Sequence, residues 1–272
     1  MKNFAVIGNP IEHSMSPTMH QWIFDCLGID AEYKKIKVNN NLLPKIIQKL
    51  KSGDLDGINI TIPLKETVLT FLDQINPRAK SIGAVNCIMI SDSRIIGNNT
   101  DWYGFLLALQ KNNIDLANRD IIIIGAGGVS KAIYYAINTL DVNSIKIFNR
   151  TESKINKMSL NDKTEGFRLD LLDEKIHNES VLINCTSIGL IDNRCPVRKK
   201  SMHKNQIIID TIYNPLETSF VKLGKEIGAK SINGLDMFIF QGLLSHELWF
   251  GEKIINKVNF DKIKSYLERK IC

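Results

Sequence analysis

Residues 121–151 constrain the fold of this chain more than any other stretch. Ile121 to Ile124 form an unbroken apolar run of the kind found in strands buried on both faces. A glycine-rich turn follows, Gly125-Ala126-Gly127-Gly128-Val129-Ser130, and then a helix-like segment from Lys131 to Leu140. A second apolar strand, Ser144 to Phe148, ends in Asn149-Arg150-Thr151. By itself a glycine turn after a buried strand is only a tight connection. Placed between two parallel-type strands, it has the context of a dinucleotide-binding turn. Gly125 permits the turn, and Gly127 lets backbone N–H groups approach a pyrophosphate at the helix N-terminus. Ser130 stands at the third glycine position, small enough for close packing of helix on strand. The end of the second strand selects the cofactor. A carboxylate there would bind the ribose 2′-hydroxyl of NAD. This chain has Asn149, Arg150 and, one turn on, Lys154, which suit a 2′-phosphate and predict NADP.

Strand-like and helix-like runs alternate along the rest of the chain, which predicts an α/β protein. Strands are expected at Phe4–Gly8, Ala31–Val38, Gly57–Ile62, Ala84–Ile90 and Arg94–Gly97, with helices at Ser16–Leu27, Leu42–Ser52, Lys65–Leu72 and Trp102–Asn112. Beyond the dinucleotide turn, strands are expected near Gly166–Leu169 and at Val181–Asn184, Gln206–Asp210 and Lys230–Ile232. Apolar helices at Met237–Phe250 and Asn259–Leu267 close the chain. The dinucleotide unit begins so far into the chain that a segment of domain size precedes it. The expected layout is a substrate domain over 1–101, a Rossmann-type NADP domain over 102–235, and C-terminal helices over 236–272 returning to the first domain.

Composition excludes several classes. The longest apolar runs fall far short of a membrane span. The first ten residues lack the apolar core and cleavage site of a secretory signal, which predicts a cytoplasmic protein. Five cysteines without CxxC spacing and five histidines without an HExxH pattern predict neither a disulfide framework nor a metal site. The net charge of +6 is dispersed, which fits small anionic ligands; no nucleic-acid motif is present.

Four N-terminal segments carry candidate chemistry. In Gly8–Pro17, Ser14 and Ser16 can point the same way beside a helix start, where they could hold a carboxylate; capping by Ser16 ahead of Pro17 is the plainer role. In Asn59–Glu66, Asn59 and Thr61 share a strand face and Lys65 sits just past the strand end, an unfavourable place for a cation that only caps a helix. Asn86, in Gly83–Cys87, needs hydrogen-bond partners if its strand is buried. Asp101, in Asn98–Gly104, either caps the next helix or pairs with Lys65.

Taken together these segments resemble the shikimate dehydrogenase family along essentially the whole chain. The resemblance is carried by His13–Pro17, Asn59–Lys65, Gly83–Asn86, Asn99-Thr100-Asp101, Gly125–Gly128, Asn149-Arg150-Thr151, Asn184–Gly189, Tyr213–Thr218 and Asn233–Met237, in order. It implies reversible NADPH-dependent reduction of 3-dehydroshikimate to shikimate, in the route to chorismate and the aromatic amino acids, and it allows a homodimer. Carried over by position, Lys65 and Asp101 would be the catalytic pair. Ser14, Ser16 and Tyr213 would hold the substrate carboxylate, and Thr61, Asn86 and Gln241 its ring hydroxyls. Gly125, Ala126, Gly127, Gly128 and Val129 would cradle the pyrophosphate. Asn149, Arg150, Thr151 and Lys154 would surround the 2′-phosphate, and Thr211 and Gly234 would meet the nicotinamide end. This chain departs from the family's usual pattern at Lys154, often Arg, at Val129, often Ala, and at Leu244 and Ser245, where an aromatic residue or His is frequent.

Overall fold

The computed structural model describes residues 1–271; Cys272, whose reactivity the sequence left open, lies outside them. The chain folds into two compact units, one formed by 1–104 with 239–270 and the other centred on 105–238.

The first unit is built on a six-stranded mixed sheet ordered β2-β1-β3-β5-β6-β4. Its elements are β1 (Lys2–Gly8), α1 (Ser16–Leu27), β2 (Ala31–Lys37), α2 (Leu43–Lys51), β3 (Gly57–Ile60), α3 (Leu64–Thr67), β4 (Gln74–Ile75), α4 (Pro77–Ile82), β5 (Cys87–Ser91) and β6 (Arg94–Asn98). Strand β1 pairs in parallel with β2 and β3, whereas β5 runs antiparallel to both β3 and β6. Alternation along β1 divides the core. Ala5 and Ile7 join Ile58, Ile60, Leu43 and Ile47 on one face, and Phe4 and Val6 join Phe24 and Tyr33 on the other. The second cluster is closed by Trp249, whose ring stacks on Phe4 at 4.5 Å between centroids and whose Nε1–H donates to the Ile88 carbonyl. The unit also takes the first turn of α5 (Asp101–Lys111), most of α10 (Leu235–Phe250), and α11 (Phe260–Ile271) up to Lys270.

Several expected elements differ in detail. The Lys65–Leu72 helix is a single α-turn, α3, continued by a 3₁₀ turn over Val68–Phe71. Strand β5 begins at Cys87, so Asn86 lies in the approach to the strand, where its side chain is free to turn toward neighbouring loops. Ser16 is the first residue of α1 rather than its cap, and Met15 occupies the cap position. Helix α4 was not foreseen, because a six-residue helix that begins at Pro77 has too little periodicity to register.

The second unit is a six-stranded, wholly parallel sheet ordered β12-β11-β10-β7-β8-β9. Its elements are β7 (Asp120–Ile124), α6 (Gly128–Ile137), β8 (Ser144–Asn149), α7 (Glu152–Ile155), β9 (Thr164–Arg168), α8 (Leu172–Lys175), β10 (Val181–Asn184), β11 (Ile207–Asp210), α9 (Ser219–Glu226) and β12 (Lys230–Ile232). Counted from β7, this is the 3-2-1-4-5-6 order of dinucleotide-binding domains, with the switch point between β7 and β10. The isoleucines of β7 are buried on both faces, which explains the run that lacks alternation. Ile122 and Ile124 pack with Phe148, Leu182, Ile208 and Phe220 on one side of the sheet. No helix among the described residues is long and apolar enough to cross a membrane.

Candidate active site

In the first unit, strand ends and one helix bring polar side chains together in an otherwise apolar interior. Lys65 projects from the single turn after β3, and Asp101 opens α5. Their side chains are only 9% and 6% exposed, and Lys65 Nζ lies 2.6 Å from Asp101 Oδ2. The other carboxylate oxygen, Oδ1, accepts from Asn86 Nδ2 at 2.8 Å. Asn86 Nδ2 also reaches Thr100 Oγ1 at 2.8 Å and Gln241 Oε1 at 3.4 Å, while its own Oδ1 accepts from the Thr100 N–H at 2.7 Å. Asn99 Oδ1 accepts from the Asp101 N–H, and Asn99 Nδ2 donates to the Ala84 carbonyl, so the 99–101 turn is tied to the loop before β5. Lys65, Asn86, Asp101 and Gln241, drawn from four separate stretches of sequence, therefore form one cluster. A buried ammonium held against a buried carboxylate, with the carboxylate's second oxygen fixed by an amide, has the form of an oriented proton donor.

Thr61 follows β3 directly and is half-buried. Ser14 and Ser16 lie at the start of the twelve-residue α1, with Ser14 Oγ donating to Ser16 Oγ at 3.1 Å and accepting from the Ser16 N–H at 3.3 Å. Two hydroxyls beside a helix N-terminus present donors to an anion.

Polar residues that sequence reasoning did not place in the site stand behind the cluster. Asn59 is 5% exposed. Its Nδ2 donates to Ser245 Oγ at 2.9 Å and to the Asn86 carbonyl at 3.2 Å, and its Oδ1 accepts from Tyr33 Oη at 2.8 Å. Ser245 Oγ in turn donates to the Gln241 carbonyl. Beyond them His20 and His246 stack, with Nδ1 of the first 2.8 Å from Nε2 of the second. Burial holds His20 well below the usual imidazole range and pushes His246 down to about 3, so both rings are neutral. The signals in sequence were Asn59, on the strand face it shares with Thr61, and a serine and a histidine inside the apolar Met237–Phe250 helix.

The second unit carries the glycine turn. Gly125 adopts φ +113°, and a Cβ there would press on the Cys185 backbone. Ser130 Oγ donates to the Gly125 carbonyl at 2.6 Å and pins the turn to α6. Gly127 caps the ten-residue α6 in an extended conformation, and nothing lies within 4 Å of where its Cβ would stand. Open space therefore adjoins the unpaired N–H groups of the first helical turn, from Gly128 and Val129 onward, with Ala126 buried beneath. At the end of β8, Asn149 Nδ2 donates to the Thr151 carbonyl. Arg150 and Lys154 are exposed, and neither has a carboxylate partner among the described residues. An open phosphate cradle followed by two unpaired cations fits a 2′-phosphorylated dinucleotide. Thr211, Tyr213 and Gly234 belong to this unit as well; Thr211 Oγ1 donates to the Asn184 carbonyl, and the Tyr213 ring stacks on Phe238 at 4.0 Å.

Comparison with known proteins agrees with both halves. Residues 6–88 match the shikimate dehydrogenase substrate-binding domain, and residues 107–218 match the shikimate/quinate 5-dehydrogenase domain. A shikimate dehydrogenase (NADP(+)) of Bacillus cereus is 37% identical over 98% of this chain and 98% of its own length. Among solved structures, shikimate dehydrogenase 1 of Peptoclostridium difficile superimposes with a TM-score of 0.92 at 32% identity, covering 100% of this chain and 99% of that one. The Thermus thermophilus enzyme in complex with NADP(H) and shikimate gives 0.87 at 30% identity, with 100% of both chains covered. In sequence and in fold, the chain belongs to the shikimate dehydrogenase family.

Proposed function

We propose that this protein catalyses the reversible NADPH-dependent reduction of 3-dehydroshikimate to shikimate, with Lys65 as proton donor and Asp101 as its partner. The substrate role falls to residues 1–101 with 236–272, and the NADP role to 102–235. The observation that carries the reading is the buried Lys65–Asp101 pair at 2.6 Å, oriented by Asn86. When bound, NADPH supplies the hydride; the Gly125–Val129 turn would hold its pyrophosphate, Asn149, Arg150, Thr151 and Lys154 its 2′-phosphate, and Thr211 and Gly234 its nicotinamide end.

The chain's own residues manage the substrate and the proton. Lys65 Nζ–H donates to the ketone oxygen, stabilises the charge that develops there and transfers the proton that makes the product hydroxyl. Asp101 Oδ2 keeps the ammonium aimed, and Asn86 prevents the carboxylate from rotating away. In the reverse direction neutral Lys65 Nζ accepts the hydroxyl proton. Ser14 and Ser16 would bind the substrate carboxylate, while Thr61, Asn86 and Gln241 would bind its ring hydroxyls. The absence of any acid at 149 supports NADP over NAD.

The test follows the absorbance of reduced nicotinamide while shikimate and quinate are each crossed with NADP and NAD. Turnover confined largely to shikimate with NADP is the expected result. Comparable turnover with quinate or NAD would show that the serine pair and Arg150 do not set specificity. No turnover in any combination would reject the reading.

A further inference from the structure

Asp210 closes β11 and is 0% exposed, yet among the described residues no cation pairs with it. Three donors hold it instead. Asn184 Nδ2 and the Ile212 N–H each donate to Oδ1 at 3.0 Å, and Thr218 Oγ1 donates to Oδ2 at 2.7 Å. Burial still pushes its carboxyl up to about 6, against the pull of those donors. A buried carboxylate without a counter-charge is costly even when hydrogen-bonded, and an apolar residue would end the strand at no such cost. The cost therefore has to be set against what the carboxylate organises.

The bonds run into three loops. Asn184, at the end of β10, uses Oδ1 to accept from the Thr186 N–H and hydroxyl, and its Nδ2 also reaches the Ile188 carbonyl. Its backbone carbonyl accepts from the Thr211 N–H at 3.0 Å and from Thr211 Oγ1 at 2.9 Å. Asp210 itself clasps both ends of the 211–218 loop, through Ile212 and Thr218. Ile212 passes the constraint on, its carbonyl accepting from the Gly234 N–H at 2.9 Å, and Asn233 Nδ2 donates to the Leu216 carbonyl. Gly234 packs so closely that a Cβ would collide with the Thr211 carbonyl. The loops after β10, β11 and β12 are thus keyed to one carboxylate. They lie at the carboxyl ends of parallel strands, where ligands of such sheets bind.

We propose that Asp210, bracketed by Asn184 and Thr218, is a positioning residue that sets the loops holding the nicotinamide half of NADP, an inference that rests on the cofactor assignment proposed above. Asp210 touches neither cofactor nor substrate; it acts through Thr211, Tyr213 and Gly234. The adenosine 2′-phosphate would be held at Arg150, just past β8, outside the three loops that these hydrogen bonds tie together.

The experiment compares two ligands on the full chain by titration calorimetry: NADP+, and adenosine 2′,5′-bisphosphate, which lacks the nicotinamide. Asp210→Asn keeps an acceptor for Asn184 and Ile212 but offers an NH2 to Thr218, whose hydroxyl proton then loses its acceptor. Its Kd for NADP+ should rise about tenfold, the worth of one charge-assisted hydrogen bond, with the bisphosphate Kd unchanged. Thr218→Val breaks the Oδ2 bond from the other side and gives the same split should Asp210→Asn not fold; Thr218→Ser restores wild-type binding. Parallel weakening of both ligands, or full-strength NADP+ binding by a folded variant, would overturn the proposal. A wild-type chain that binds neither ligand would overturn the cofactor assignment itself, and this inference with it.

Discussion

Replacing Lys65 with methionine tests the mechanism and the energetics of the site at once. The substitution keeps most of the side-chain volume and removes the ammonium. Asp101, its side chain 6% exposed, is left with Asn86 as the remaining side-chain partner of its carboxylate. Truncating one partner of a buried ion pair costs roughly 3–5 kcal/mol, because the surviving charge stays desolvated. In a domain of this size that loss lowers the melting temperature by on the order of 10 °C. Turnover should fall at least about a hundredfold, the low end for a general acid–base group, while NADP binding stays at wild-type strength. The double variant Lys65→Met with Asp101→Leu removes both charges and should recover most of the lost stability while remaining inactive. Differential scanning fluorimetry and steady-state kinetics on the three proteins decide the matter. A single variant that melts and turns over like wild type would refute the assignment of Lys65. A double variant no more stable than the single would refute the account of why the pair matters to the fold.

Two further expectations follow from particular residues. Arg150→Ala should raise the KM for NADP about tenfold and spare that for shikimate, because an unpaired Arg at the end of β8 is free to bind a phosphate; an equal rise in both would mark Arg150 as structural. Acid should weaken the first unit through the histidine pair. His246 titrates near 6.5 unfolded but is pushed down to about 3 when folded, and His20 is shifted in the same direction. The unfolded chain therefore binds more protons in this window, so the pair's stabilisation is present above about pH 6.5 and is lost as pH falls toward 3. Denaturant titrations at stepped pH should show this slope, and His246→Phe should reduce it. An unchanged slope would place the acid sensitivity elsewhere.

The features legible in the sequence were those set by neighbours along the chain. The strand, glycine turn, helix and strand of residues 120–149 appear in the expected order, the helix three residues earlier than expected because it starts within the glycine turn, and all of these are local properties. The same locality made the placement of two exposed cations readable, Arg150 just past β8 and Lys154 within α7. Short elements escaped for the converse reason: α4 and α9, of six and eight residues, are too short for a period to be read along the chain. Asn86 was expected within a strand and lies just before one, which is what allows it to reach Thr100, Asp101 and Gln241 together. That Lys65 and Asp101 are able to pair could be guessed from their types. That they do, at 2.6 Å and out of water, follows from β3 and β5 running antiparallel and from the 99–101 turn being tied to the loop before β5. Local pattern was enough for the α/β class, the dinucleotide turn and the kinds of residue available for chemistry. The order of strands, the pairing of His20 with a histidine 226 positions away, and the place of Asp210 at a junction of three loops came from long-range packing alone. Hydrogen bonds between distant segments exist only once the sheets have closed, and no local periodicity encodes them.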